Sequence, residues 1–194
     1  MMMRSLLIIS LGFMLAAMPA WAEAGDNDNQ FRTFNEITQA LNPLDVIANH
    51  DGIKRSIDLQ IQFKLDSSEL LPAAQRQIKA LAKAVNSERL NGYKIQIVGH
   101  TDTLGDAGHN QWLSESRANA VLSALVAEHN VNKKRLESMG KGENDLLDGL
   151  AEHDAKHRRV EIIAIATTQQ QAKHYSTRDE HAPQTSGEHK AIAW

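Results

Sequence analysis

The stretch KIQIVGHTDTLGDAGHNQWLSESRA, Lys94 to Ala118, changes its period partway along and decides the fold. Lys94 to Gly99 alternates polar and apolar residues and is rich in β-branched ones, which predicts a strand. From about Asp106 the spacing becomes helical. Leu113, Ala120, Val121, Ala124 and Leu125 then share one face of a helix predicted to run to Glu128. The same switch occurs upstream. Ser56 to Phe63 (SIDLQIQF) alternates over its whole length, and Pro72 opens a helix whose inner stripe is Ile78, Leu81, Ala82 and Val85. Asn91-Gly92 turns the chain into the second strand. Downstream, Arg135 to Met139 reads as a short strand ending at Gly140, and Val160 to Ile165 (VEIIAI) as a strong one. The order strand, helix, strand, helix, strand, strand predicts an α/β fold: a mixed four-stranded sheet with helices packed on it.

The flanks differ in character. Arg4, the apolar run Leu6 to Met18, and Ala20-Trp21-Ala22 form a secretory signal, with cleavage expected after Ala22. The apolar run is too short for a bilayer span, which needs ~20 residues. Residues 23–55 read as an extension in which Phe31, Phe34, Ile37 and Leu41 make a short amphipathic helix before Pro43. That stripe either packs on the domain or docks a partner. The domain is placed at residues 56–167, and residues 168–194 read as a disordered tail. A formal net charge of −3 offers no basic excess for a nucleic-acid backbone. The absence of cysteine removes disulfides, thiolate metal sites and thiol catalysis. The chain is therefore expected in the periplasm, peripheral to the outer membrane at most.

The densest group of polar side chains surrounds the end of the second strand. Ligands of open α/β sheets collect at the carboxyl ends of strands, and Asp102 lies just past one. Asn110, Ser114 and Arg117 follow at spacings that line one face of the next helix. A carboxylate and a guanidinium at one mouth suit a zwitterion: Asp102 would take an ammonium and Arg117 a carboxylate. Spacing alone equally allows the two residues to pair with each other.

These residues also carry a resemblance. Ile61-Gln62-Phe63, Gly99-His100-Thr101-Asp102-x-x-Gly105, Asn110-x-x-Leu113-Ser114-x-x-Arg117-Ala118, Arg135-Leu136-x-x-x-Gly140 and Arg158-Arg159-Val160-Glu161-Ile162 resemble the OmpA-like domain. This is a peptidoglycan-binding module of outer-membrane, lipoprotein and flagellar stator proteins. The resemblance implies non-covalent binding of the meso-diaminopimelate side chain of the stem peptide. It also implies that Asp102 contacts the ammonium and Arg117 the carboxylate. Asn110, Arg158 and the backbone amides near Thr103 and Leu104 would complete the site. The sequence departs from the family's pattern at His157, where asparagine is usual, at His109, where tyrosine is usual, and in the loop Gly142 to Lys156, which lacks a common proline. The 33 residues between Ala22 and Ser56 are too few for even the smallest barrel of eight strands, so a stand-alone domain is expected.

The implied partners are peptidoglycan and, through residues 31–41, an outer-membrane or envelope protein. Homodimer formation is left open. The alternative function is a periplasmic interaction adaptor that uses the same fold without wall binding. No cofactor or catalytic group is implied. Two chemical rivals were weighed. His153-x-x-x-His157 has metal-ligand spacing but lacks the HExxH glutamate. Ser114, His100 and Asp102 lie close in sequence but without a nucleophile elbow. Neither a bound metal nor hydrolysis is therefore expected.

Overall fold

The structure is a computed structural model that describes residues 31–42 and 54–166. The expected signal segment, the lead-in to residue 30 and the tail beyond residue 166 lie outside the described residues. Helix α1 (Phe34–Leu41) comes first, followed by β1 (Lys54–Leu59), α2 (Ala74–Val85), β2 (Lys94–Gly99), α3 (Ala107–His129), β3 (Leu136–Gly140) and β4 (Val160–Ile165). The sheet order is β1-β4-β2-β3. β4 runs antiparallel to both of its neighbours, and β2 and β3 run parallel, so the predicted mixed α/β architecture is the observed one.

Alternation in the strands sets the two faces. Leu59, Ile95, Ile97, Val160, Ile162 and Ala164 turn inward and join Ile78, Leu81, Val121 and Leu125 of the helices in one core. The other face carries Asp58, Gln96, Glu161 and Ile163, and its charged groups matter below. Two glycines let α3 lie directly on the sheet. A Cβ on Gly99 would stand 2.1 Å from the Ser114 carbonyl oxygen, and one on Gly140 would stand 2.4 Å from the Glu115 nitrogen. Within α3, Ala118 takes a buried position while Ala120 is only half-buried, so the inner stripe is shifted slightly from the predicted one.

Three predicted boundaries need correction. Regular pairing of β1 ends at Leu59 rather than Phe63, because its partner β4 begins at Val160, opposite Leu59. Residues 60–63 outrun the sheet, and Phe63 bridges instead to Leu70. Pro72 sits in a turn closed by Ala74 N–H to the Leu71 carbonyl, 2.9 Å, and α2 starts two residues later than expected. Arg135 belongs to a 3-10 turn, Lys133–Arg135, and not to β3.

Residues 31–41 are bound into the domain. Thr33 and Glu36 form a capping box at the start of α1. Arg32 N–H donates to Gln77 Oε1 at 2.9 Å, and Gln77 Nε2 returns the bond to the Arg32 carbonyl at 3.0 Å. Arg76 lies 3.9 Å over the Phe31 ring. Ile37 and Leu41 are fully buried, so the apolar stripe serves the core, and Phe34 is left as the exposed apolar residue of the segment.

Candidate functional site

Past the carboxyl ends of β2 and β3 the chain makes two loops that lace together. Thr101 N–H donates to the Gly142 carbonyl at 2.9 Å, and Lys141 N–H to the Gly99 carbonyl at 2.9 Å. His100 N–H donates to the Arg159 carbonyl at 3.0 Å. The long loop before β4 is organised by His157, which is fully buried. Its Nδ1 accepts from Leu147 N–H at 3.1 Å, so its Nε2 carries the proton and donates to the Ala151 carbonyl at 2.8 Å. Both nitrogens are thus engaged. Residues 155–157 form a 3-10 turn rather than an α-helix, so His153 and His157 do not present the helix-face pair that their spacing suggests. His157 itself thus ties two points of the loop together.

A cavity of about 370 Å³ opens at this end of the sheet, between residues 60–63 and residues 155–159. One wall is apolar, with Ile61, Phe63 and Leu71. The other is cationic, with Arg117, Lys156, Arg158 and Arg159.

Asp102 and Arg117 do not pair with each other. Asp102 is 5% exposed. Its Oδ2 accepts from Arg158 Nη1 at 2.5 Å and its Oδ1 from Leu104 N–H at 3.2 Å. Arg117 extends across the Phe63 ring, 5.2 Å from its centroid, and donates Nε–H to the Ser67 carbonyl at 3.0 Å. Among the described residues it has no carboxylate within ion-pair distance. Burial, and after it the positive charge of Arg158, push the Arg117 pKa below the ordinary arginine value, while Asp66 and Asp102 act in the opposite sense. Arginine stays protonated even so. The result is a partly desolvated guanidinium beside a second one, a position that favours an incoming anion.

Of the six residues implied by sequence, Arg117 and Arg158 line the cavity, and Asp102 joins it through Arg158. The other three do not line it. Asn110 is 3% exposed, and its Nδ2 lies within reach of the carbonyls of Asp102 (3.3 Å) and Leu104 (3.1 Å) and of Glu143 Oε2 (2.7 Å). With two protons for three acceptors it holds the turn in place. Thr103 N–H donates to the Glu152 carbonyl at 3.2 Å, and Leu104 N–H to Asp102, so both amides already have partners inside the protein. Leu71 and Lys156 carry no site signal in the sequence, and Phe63 and Arg159 stand in the quoted motifs without a site role. The alternation through Phe63 was the available signal, since a strand that continues beyond its partner must present its inner side chains to something else.

His109, the second departure, ties a loop to α3. Its Nε2 lies 2.6 Å from Asp66 Oδ1, and together with the Arg117 bond to Ser67 it fixes residues 64–71 beside the cavity. Ser114 is fully buried. Its hydroxyl donates to the Gln111 carbonyl at 2.8 Å and accepts from Gly142 N–H at 2.9 Å, which leaves it in a structural role.

On the open face of the sheet, His100, Asp145 and Glu161 bring one ligand atom each within 4.8 Å of one another, the one such group among the described residues. Each of the two carboxylates already faces a nitrogen partner within the protein. Asp145 pairs with Lys141, and His100 Nε2 faces Glu161 Oε2 at 3.4 Å. Arg159 completes the cluster by donating to Asp58 Oδ1 and to the Asp145 carbonyl, each at 3.2 Å.

Comparison with known proteins places these features in a lineage. The sequence model of the OmpA family matches residues 62–160. Outer membrane porin F of Pseudomonas aeruginosa is 36% identical over 107 residues, 54% of this chain and 30% of the porin. The peptidoglycan-associated lipoprotein of the same organism is 36% identical over 102 residues, 52% of this chain and 58% of the lipoprotein. The chain spans between 30% and 34% of the length of the first curated relatives. The periplasmic domain of Helicobacter pylori MotB superposes with a TM-score of 0.52 at 18% identity, covering 69% of this chain and 96% of that domain, which is a likeness of fold. No helix among the described residues is long and apolar enough to cross a membrane.

Proposed function

Since the chain belongs to the OmpA family, we propose that it binds peptidoglycan non-covalently, by taking the zwitterionic end of a meso-diaminopimelate side chain into the cavity between residues 60–63 and 155–159. The supporting observation is Arg117: a partly buried guanidinium in the cavity wall with no carboxylate partner among the described residues. A ligand carboxylate would supply that partner through a bidentate fork. The ligand ammonium would join the Asp102–Arg158 pair on the side left open, since a carboxylate has more acceptor sites than its two present donors fill. The methylenes between would lie on Ile61 and Phe63. The name of one relative, peptidoglycan-associated lipoprotein, supports this ligand class. The role is anchoring, with no bond made or broken. It is placed in the periplasm after removal of residues 1–22.

The test is titration of the protein with a diaminopimelate-containing stem peptide, using a lysine-containing analogue that lacks the distal carboxylate as control. Saturable binding to the first alone is the expected result. Arg117→Ala and Asp102→Ala should each cost about 2 to 5 kcal/mol, because each leaves an opposite charge unpaired. If both variants still co-sediment with purified sacculi as the parent does, the zwitterion reading is wrong. Exposed Leu65, Leu104 and Trp112, at 93%, 63% and 59%, favour a second reading as an adaptor that docks a protein through exposed apolar side chains. That reading takes over if neither peptide binds.

A further inference from the structure

The cavity holds more room and more charge than one zwitterion uses. At about 370 Å³ it falls within the ~300–1,000 Å³ range of small-molecule sites, whereas an amino-acid head has only a handful of heavy atoms. The charge count points the same way. Four cations line the cavity: Arg158 is paired with Asp102 and Arg159 with Asp58, while Arg117 and Lys156 have no carboxylate partner among the described residues. Lys156 is exposed on the 3-10 turn of residues 155–157, where its backbone N–H donates to Asp154 Oδ1 at 2.8 Å and its ammonium has no carboxylate partner among the described residues. Its ammonium is therefore available on a flexible stem. Facing both unpaired cations is the apolar wall of Ile61, Phe63 and Leu71.

We infer that Lys156 forms a second anionic subsite, and that the ligand is an acidic peptide carrying two carboxylates on an aliphatic chain, one on Arg117 and the other on Lys156. This rests on the peptidoglycan reading and refines it. In a stem peptide, the group that fits is the free α-carboxylate of the γ-linked glutamyl residue preceding the diaminopimelate. Lys156 thereby selects stem peptides whose glutamyl carboxylate is free over those in which it is amidated. A point charge on an exposed stem gives modest selectivity, about fivefold, in keeping with a partly solvated ion pair.

The experiment is a cycle of four titrations. The parent and Lys156→Met are each titrated with L-alanyl-γ-D-glutamyl-meso-diaminopimelate and with the same tripeptide amidated at the glutamyl α-carboxylate. Methionine keeps most of the stem's apolar volume. The parent should bind the free acid about fivefold more tightly, and Lys156→Met should bind both peptides as the parent binds the amide. Lys156→Arg should restore the preference. Equal affinity of the parent for the two peptides overturns the subsite and leaves the Arg117 site standing. An equal loss by Lys156→Met on both peptides also overturns it, by making the lysine's effect general. Absence of binding to either peptide overturns the subsite together with the reading on which it rests.

Discussion

Arg135 offers the sharpest test of how the fold is held around the start of β2. Its guanidinium donates Nε–H to the Tyr93 carbonyl at 3.0 Å, Nη1–H to Val85 at 3.0 Å and Nη2–H to Leu90 at 2.5 Å. Val85 is the last residue of α2, so its carbonyl has no partner within the helix, while the Leu90 carbonyl also accepts from Tyr93 N–H at 3.2 Å and would keep that bond. Arg135→Met keeps most of the stem and removes all three bonds. Hydrogen bonds to a charged group contribute about 1.5 to 3 kcal/mol each. Arg135 is only half-buried, so water regains part of what is lost, and the expected net cost is about 2 to 4 kcal/mol, a large share of the ~5 to 15 kcal/mol of a typical domain. With a urea slope of about 1.5 kcal/mol/M, the unfolding midpoint falls by roughly 1.3 to 2.7 M. Arg135→Lys places one compact charge among three carbonyls and recovers only part of that. The measurement is urea denaturation followed by circular dichroism. A midpoint within about 0.3 M of the parent at unchanged slope would refute the reasoning, since it would mean that water serves the three carbonyls as well as arginine does.

Two further outcomes follow from the packing and the charges. Gly99→Ala drives a methyl to 2.1 Å from a helix carbonyl that cannot turn aside, so α3 must lift from β2. Overpacking of this kind costs at least about 1 to 3 kcal/mol, which lowers the melting temperature by roughly 5 to 15 °C; an unchanged melting curve would show that the helix yields freely. The Glu161 carboxyl is held below its ordinary value of 4.5, chiefly by the His100 imidazole facing it and against the opposing effect of burial. Folded protein then takes up that proton at lower pH than unfolded chain does. The stabilisation is complete above about pH 4.5 and is lost as the pH falls below it. Urea midpoints measured at pH 7 and pH 3 should accordingly differ more for the parent than for Glu161→Gln, and an equal acid loss in the two proteins would remove Glu161 from the account.

The sheet was legible because its strands and helices keep their periods, and because each inner face has a single large core to bury. The β1 boundary was not, since alternation continues to Phe63 while hydrogen bonding depends on where β4 begins, about a hundred residues away (Asp58 and Arg159 are 101 apart). The site was half legible. The spacing between Asp102 and Arg117 allowed a mutual pair or a shared ligand. The structure gives a third arrangement, in which Arg158, 56 residues beyond Asp102, becomes its partner. No local rule reaches that far. The loop of residues 141–159 shows the same limit: His157 looked like a departure from a motif or half of a metal pair. Only the positions of Leu147 and Ala151 reveal it as the residue that closes the loop.

The strand order has a consequence for how the molecule comes into being. Of the described strands β4 is the last to be synthesised, yet it lies between β1 and β2, and β1 has no other neighbour in this sheet. A growing chain that has not yet reached residue 160 can pair β2 with β3 but leaves β1 unjoined. Ile61 and Phe63, just after β1, do not then face Lys156, Arg158 and Arg159, just before β4. Insertion of that strand completes the sheet and creates the cavity in one step, at the cost of closing the longest loop between paired strands. A chain that stops short of residue 160 therefore lacks the cavity altogether, and a nascent one acquires it only when that strand is in place.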